Sequence, residues 1–218
     1  MSTDRLMALW EPVAQLLSLS GAEGPEPRWV VVDVETTGLN PDRDCLLSIG
    51  AVAMSDKGID LCDSLEIAVR PPTVSDRSNI LIHRISAAAQ AAGEPPAQAC
   101  RRFLDFAGDA PIVGYHLRFD RAFLRRAMHA AGLAAPRRWL DLAELAPALR
   151  PAASARALEE WLELASLKVL TRHSAASDAM ATAMLFQWLM GAVASKDRNF
   201  RRLQALARSA RWAAPANR

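Results

Sequence analysis

Asp33, Glu35, Asp120, Asp178 and His173 are the side chains of this 218-residue sequence whose types and spacing point to chemistry. Asp33-Val34-Glu35 stands at the end of an apolar run, Trp29 to Val32. On a strand, residues two apart share a face, so Asp33 and Glu35 set two carboxylates side by side. Like charges that close repel unless a cation lies between them or one holds a proton. The continuous apolar run implies a strand buried on both faces, where an uncompensated carboxylate pair is costly. Oxygen donors of this kind select hard divalent ions such as Mg²⁺ or Mn²⁺. Asp120 follows a second short apolar run, Ile112-Val113-Gly114, and falls in the first turn of a helix, where an acid ordinarily just offsets the helix dipole. Asp178 lies on an alanine-rich helix with Ala175, Ala179, Ala181 and Ala183 around it, a close-packed surface poor in other partners. His173, five residues earlier, titrates near neutrality and can accept a proton at the same place.

The elements that position these residues follow from periodicity. Apolar, β-branched runs at Trp29 to Val34, Leu46 to Met54 and Ser64 to Val69, separated by turn residues, predict three sequential strands. After Pro71-Pro72 the pattern turns helical. A buried strand at residues 111–114 then leads into a helix over about 118–131, and residues 139–142 predict a last short strand. Helices follow at about 154–164 and 174–190. Strands first, then strands alternating with helices, imply an α/β fold with a mixed central sheet flanked by helices. Residues 29–190 form the domain by this reading. A helical arm and Gly/Pro-rich linker occupy residues 1–28, and a basic helical tail occupies residues 191–218.

Charge is unevenly spread. The last 28 residues sum to +6 within a chain of net +2, so the remaining 190 sum to −4. No apolar stretch reaches the length of a membrane span, and the N-terminus lacks a basic region followed by an uninterrupted apolar run, so a cytoplasmic protein is expected. Cys45, Cys62 and Cys100 are odd in number and form no C-x-x-C pair, which argues for reduced thiols over a disulfide framework or zinc site.

The three segments, D-x-E-T-T-G-L at 33–39, F-D at Phe119-Asp120 and H-x-x-x-x-D at 173–178, resemble in order and spacing the DEDDh exonucleases. That family includes the proofreading epsilon subunit of bacterial replicative polymerase, RNase T and oligoribonuclease. The resemblance spans roughly residues 29 to 190 and implies a ribonuclease H-like fold. It implies 3′-to-5′ removal of nucleoside 5′-monophosphates, with two Mg²⁺ or Mn²⁺ ions on Asp33, Glu35, Asp120 and Asp178 and with His173 as general base. A sister subclass places tyrosine four residues before the last aspartate. Ser174 stands there, and the chain's one tyrosine is Tyr115.

Substrate contacts are expected from several neighbours of these motifs. Thr36, Thr37 and Gly38 offer hydroxyls and a tight turn that can cradle a nucleotide. Leu39 reads first as a core leucine and second as a wedge against the terminal base. His83 matches a family histidine near the substrate, with a half-buried helix residue the equal alternative. His116 and Phe119 flank Asp120, although Tyr115-His116 stands where many members have His-Asn. His129 is expected to be solvated and Asp141 to cap a helix. Arg118, Arg121, Arg125 and Arg126 either steer phosphate or form a solvated face.

The leading expectation is hydrolysis at the 3′ end of single-stranded DNA, free-standing or beside a polymerase subunit or sliding clamp. RNA trimming is the enzymatic alternative, and a catalytically silent adaptor is the alternative of another class. Replacing His173 by Ala is expected to lower kcat by roughly 10² to 10⁴ with metal binding largely retained. Single-turnover kinetics and metal titration check both halves, and a loss of metal affinity recasts His173 as a ligand.

Overall fold

The computed structural model describes residues 28–74, 80, 84–169 and 174–213. The expected arm at 1–27, His83 and His173 lie outside the described residues. Strands β1 (Trp29–Thr36), β2 (Leu46–Ser55) and β3 (Gly58–Ala68) form an antiparallel meander. Helices α1 (Ala87–Ala92) and α2 (Pro96–Ala107) lead to β4 (Ile112–Gly114), which pairs parallel to β1. Helix α3 (Arg118–Ala130) returns the chain to β5 (Trp139–Asp141), parallel to β4. Helices α4 (Leu142–Leu149), α5 (Leu158–Leu164), α6 (Ala175–Met190) and α7 (Phe200–Ala213) complete the described chain. The sheet order is β3-β2-β1-β4-β5. This is the mixed, helix-flanked sheet that the sequence predicts. Among the described residues no helix is long and apolar enough to cross a membrane.

β1 is apolar on both faces because both are covered. Val30, Val32 and Val34 pack with Ile49, Phe103, Phe123, Leu124 and Met128 beneath α2 and α3. Trp29 and Val31 pack on the other face with Leu145, Trp161, Leu185 and Leu203 from α4 to α7. Trp29 meets Phe186 of α6 edge to face, 5.3 Å between centroids. The basic C-terminal stretch therefore includes a helix whose Leu203 and Ala207 belong to this second core.

Two boundaries differ from the sequence reading. β3 starts at Gly58, six residues before Ser64, because Asp60 to Asp63 lie on a solvent-facing edge strand where polar side chains cost nothing. The β2 register there slips from Val52↔Ser64 to Ala53↔Asp60. The helix expected from Ser154 begins at Leu158, since the Glu160 carboxylate accepts from the amides of Arg156 and Ala157 and so caps the helix later. The helix that Asp141 is expected to cap, α4, has no range in the sequence reading, because Pro147 disguises it. Asp141 starts it, its carboxylate accepting from the Ala143 amide at 2.9 Å, the capping role expected of it.

One close approach governs how α6 meets the sheet. Gly50 of β2 pairs with Asp33, and a Cβ at Gly50 would lie 2.1 to 2.3 Å from the backbone of Ala175 and Ala176. The first turn of α6 thus rests directly on the strand backbone. Gly50→Val is expected to destabilise the fold by about 1–3 kcal/mol through overpacking, read from the urea midpoint at unchanged m-value. A neutral result would mean that α6 is not seated here.

Candidate active site

Trp29, Val31, Asp33 and Glu35 alternate onto the face of β1 that α6 covers, so the two carboxylates continue a row of core side chains. Asp178 sits in the first turn of α6, 9% exposed, in a helix started by Ser174, whose Oγ accepts from the Ser177 amide. With α6 seated on Gly50, carboxylate oxygens of Asp33, Glu35 and Asp178 all lie within 4.8 Å of one another. Asp120 arrives from the opposite layer, in the first turn of α3, and is 5% exposed. Its Oδ1 accepts from the backbone N–H of Val34, between Asp33 and Glu35, at 3.1 Å. The role of surface dipole decoration is thereby excluded for Asp120.

Gathering four acids at one strand end has an electrostatic cost. The Glu35 carboxyl is pushed up to about 7 by burial, then by the charges of Asp178 and Asp120. Asp120 is likewise raised, to about 7, chiefly by burial; amide hydrogen bonds within its own turn and from Val34 oppose the shift and the Asp141 charge adds to it. Asp141 is itself raised by burial. Acids this close can all be ionised near neutral pH only with a cation among them, and an all-carboxylate donor set suits Mg²⁺ or Mn²⁺.

The loop after β1 is tied down on itself. The Thr36 hydroxyl donates to the Gly38 carbonyl at 2.7 Å, and the Thr37 hydroxyl accepts from the Cys45 amide at 2.9 Å. Both hydroxyls expected to cradle substrate are thus engaged in holding the turn. A Cβ on Gly38 would collide with the Asp44 carboxylate, 2.5 Å away. Arg126 of α3 donates to the carbonyls of Pro41 and Asp44, anchoring the loop to the helix that carries Asp120. Sequence reasoning did not single out this contact or the role of Gly50. The pairing of Gly50 with Asp33 was visible only once the register was known, and an arginine's carbonyl partners have no local sequence signal.

Leu39 is 85% exposed at the rim, so its reading as a core residue is corrected. A loop closed by its own hydrogen bonds leaves that side chain nothing to pack against. His116 is exposed, adopts φ 51° and packs edge-on against Tyr115 at 4.7 Å. Phe119 is half-buried against Phe123. His129 is exposed, as expected, and the three cysteines are free.

Residues 30–186 match the family model described as Exonuclease. The chain belongs to the exonuclease family. It is 31% identical over 177 residues to the DNA polymerase III PolC-type protein of Thermotoga maritima, covering 81% of this chain and 13% of that protein. With the PolC-type protein of Caldanaerobacter subterraneus it shares 30% over 161 residues, 74% of this chain and 11% of the relative. The chain therefore spans roughly an eighth of the length of these relatives. E. coli Exonuclease I superposes with a TM-score of 0.68 at 19% identity, covering 83% of this chain and 46% of that one. Its complex with a dT13 oligonucleotide gives 0.65 over 76% and 41%. These superpositions show a shared fold, the helix-flanked mixed sheet of the ribonuclease H-like exonucleases.

Burial and repulsion make metal-free stability depend on pH. Burial keeps protons on Glu35 and Asp120 up to about pH 7 in the folded state, against the ordinary carboxyl values of 4.5 and 3.8 in the unfolded chain. Between those limits the folded state holds more protons, so stability falls as pH rises from about 5 to 7.5. Calorimetry in EDTA is expected to show Tm dropping across this window, with Glu35→Gln flattening the drop and Mg²⁺ largely abolishing it. A Tm that rises through the window in EDTA would refute the assignment.

Proposed function

We propose that the chain is a 3′-to-5′ exonuclease that shortens single-stranded DNA one nucleotide at a time, releasing nucleoside 5′-monophosphates. The observation that carries the reading is the convergence of Asp33, Glu35 and Asp178 oxygens within 4.8 Å, with Asp120 bonded into the same strand end. In this reading the four carboxylates hold two divalent cations, which when bound lower the pKa of the attacking water and stabilise the leaving 3′ oxygen. His173, immediately before the α6 cap residue Ser174 and five residues before Asp178, takes the proton of that water. Leu39, exposed beside the tied loop, meets the face of the terminal base, and His116 and Phe119 border the strand entering the site. Thr36, Thr37 and Gly38 act through the shape of the loop, whose backbone faces the terminal nucleotide. His83 is assigned to the same substrate path by its motif.

DNA is favoured over RNA because the PolC-type relatives are DNA polymerases by name, and the superposed Exonuclease I was captured with a DNA oligonucleotide. The polymerase relatives also make proofreading the natural physiological setting, with a polymerase subunit as partner. The test is a panel of 5′-labelled DNA and RNA 20-mers and DNA duplexes with matched or mismatched 3′ ends, each with Mg²⁺ or Mn²⁺. Single-nucleotide shortening from the 3′ end is expected, fastest on single-stranded DNA, faster on mismatched than matched ends and abolished by EDTA. Shortening of RNA alone would replace the substrate assignment. No shortening of any member would leave a silent adaptor.

A further inference from the structure

Two divalent cations would cancel the charge of the four carboxylates without giving the rest of the body of net −4 any surplus positive charge, so attraction for the remainder of a polyanionic strand has to come from basic side chains beside the site. Helix α3 starts at the site with Asp120 in its first turn and carries Arg118, Arg121, Arg125, Arg126 and His129. All five of these basic side chains are exposed, whereas Asp120, the helix's one acid, is buried. At 3.6 residues per turn Arg118, Arg125 and His129 fall on one line, with Arg121 alongside; the line lies on the side of the helix turned away from Asp120 and runs about 16 Å along it from the end at the site. Two of the guanidinium groups are engaged: Arg126 holds the loop, and Arg121 lies 5.7 Å from the centre of the Trp139 ring. Arg118 and Arg125 have no hydrogen-bond or ion-pair partner among the described residues. Arg118 also stands in the first turn, against the positive end of the helix dipole. A merely solvated helix face would ordinarily intersperse acids at i±4, and this one has none.

We propose that the outer face of α3 is the track for the sugar-phosphate backbone on the 5′ side of the cleaved bond, with Arg118 and Arg125 each meeting a phosphate. The inference rests on the exonuclease reading above and adds the path by which the strand reaches the site. The occupant is single-stranded nucleic acid, by charge complementarity with an acid-free basic stripe that starts at the end of α3 where Asp120 enters the site.

The test uses the full chain with Mg²⁺ and compares dT20, long enough to follow the stripe, with dT3, too short to reach Arg125. Arg118→Gln/Arg125→Gln replaces exposed helical residues by one of similar helix propensity, so folding is retained. Arg201→Gln/Arg208→Gln, on the exposed side of α7, removes the same charge elsewhere. The α3 pair is expected to raise KM for dT20 about tenfold, with a much smaller effect on dT3. Its slope of log affinity against log salt, from anisotropy of fluorescein-dT20, is expected to shrink by about 1.4, or 0.7 per phosphate. The α7 pair is expected to match the unsubstituted protein. The proposal is overturned if the α3 pair leaves KM and slope unchanged, or if the α7 pair produces the same loss. If the unsubstituted protein shortens neither oligonucleotide, the exonuclease reading itself falls.

Discussion

Repulsion among carboxylates at the end of one buried strand is the interaction around which the rest of this chain is arranged. Asp33 and Glu35 occupy positions that the alternation of β1 would otherwise assign to core side chains, and Asp178 and Asp120 are brought to them from helices on opposite faces. Protonation or cation binding can relieve the resulting charge, and burial makes both outcomes favourable. Everything nearby keeps the acids from drifting apart: the backbone contact at Gly50, the Val34 amide on Asp120 and the Ser174 cap.

Rigidity at the entrance serves the same end. The loop following β1 has its two threonine hydroxyls, its glycine and Asp44 committed to internal contacts, and Arg126 fastens it to α3. An anchored rim costs little further ordering entropy on binding, so under the proposed exonuclease reading the exposed Leu39 is presented to a strand end in advance.

Much of this was legible before any coordinates. β1, β2 and the α6 helix announce themselves because they are buried over most of their length and leave long apolar signals. The clustered carboxylates of the candidate site were legible because acids at such positions conflict with burial. What escaped depends on partners distant in sequence. The first half of β3 interrupts Ile59, Leu61 and Cys62 with Asp60 and Asp63 because it lies at a solvent-facing edge, α4 is masked by Pro147, and Leu39 is apolar yet has no core to enter. Gly50 acquires its meaning from a helix more than a hundred residues later.

Asp120 and Asp178 approach β1 from opposite helical layers, each layer with its own hydrophobic core. Packing changes buried in one layer, at Met128 behind Asp120 or at Leu185 behind Asp178, are far enough apart to add in their effects on folding free energy. Their effects on turnover should not add, because both displace the same constellation and the first displacement already spoils the geometry the second would disturb. The sheet thus insulates the two cores energetically while its one open end couples them functionally, and a double-mutant cycle read in both currencies separates the two roles of the scaffold.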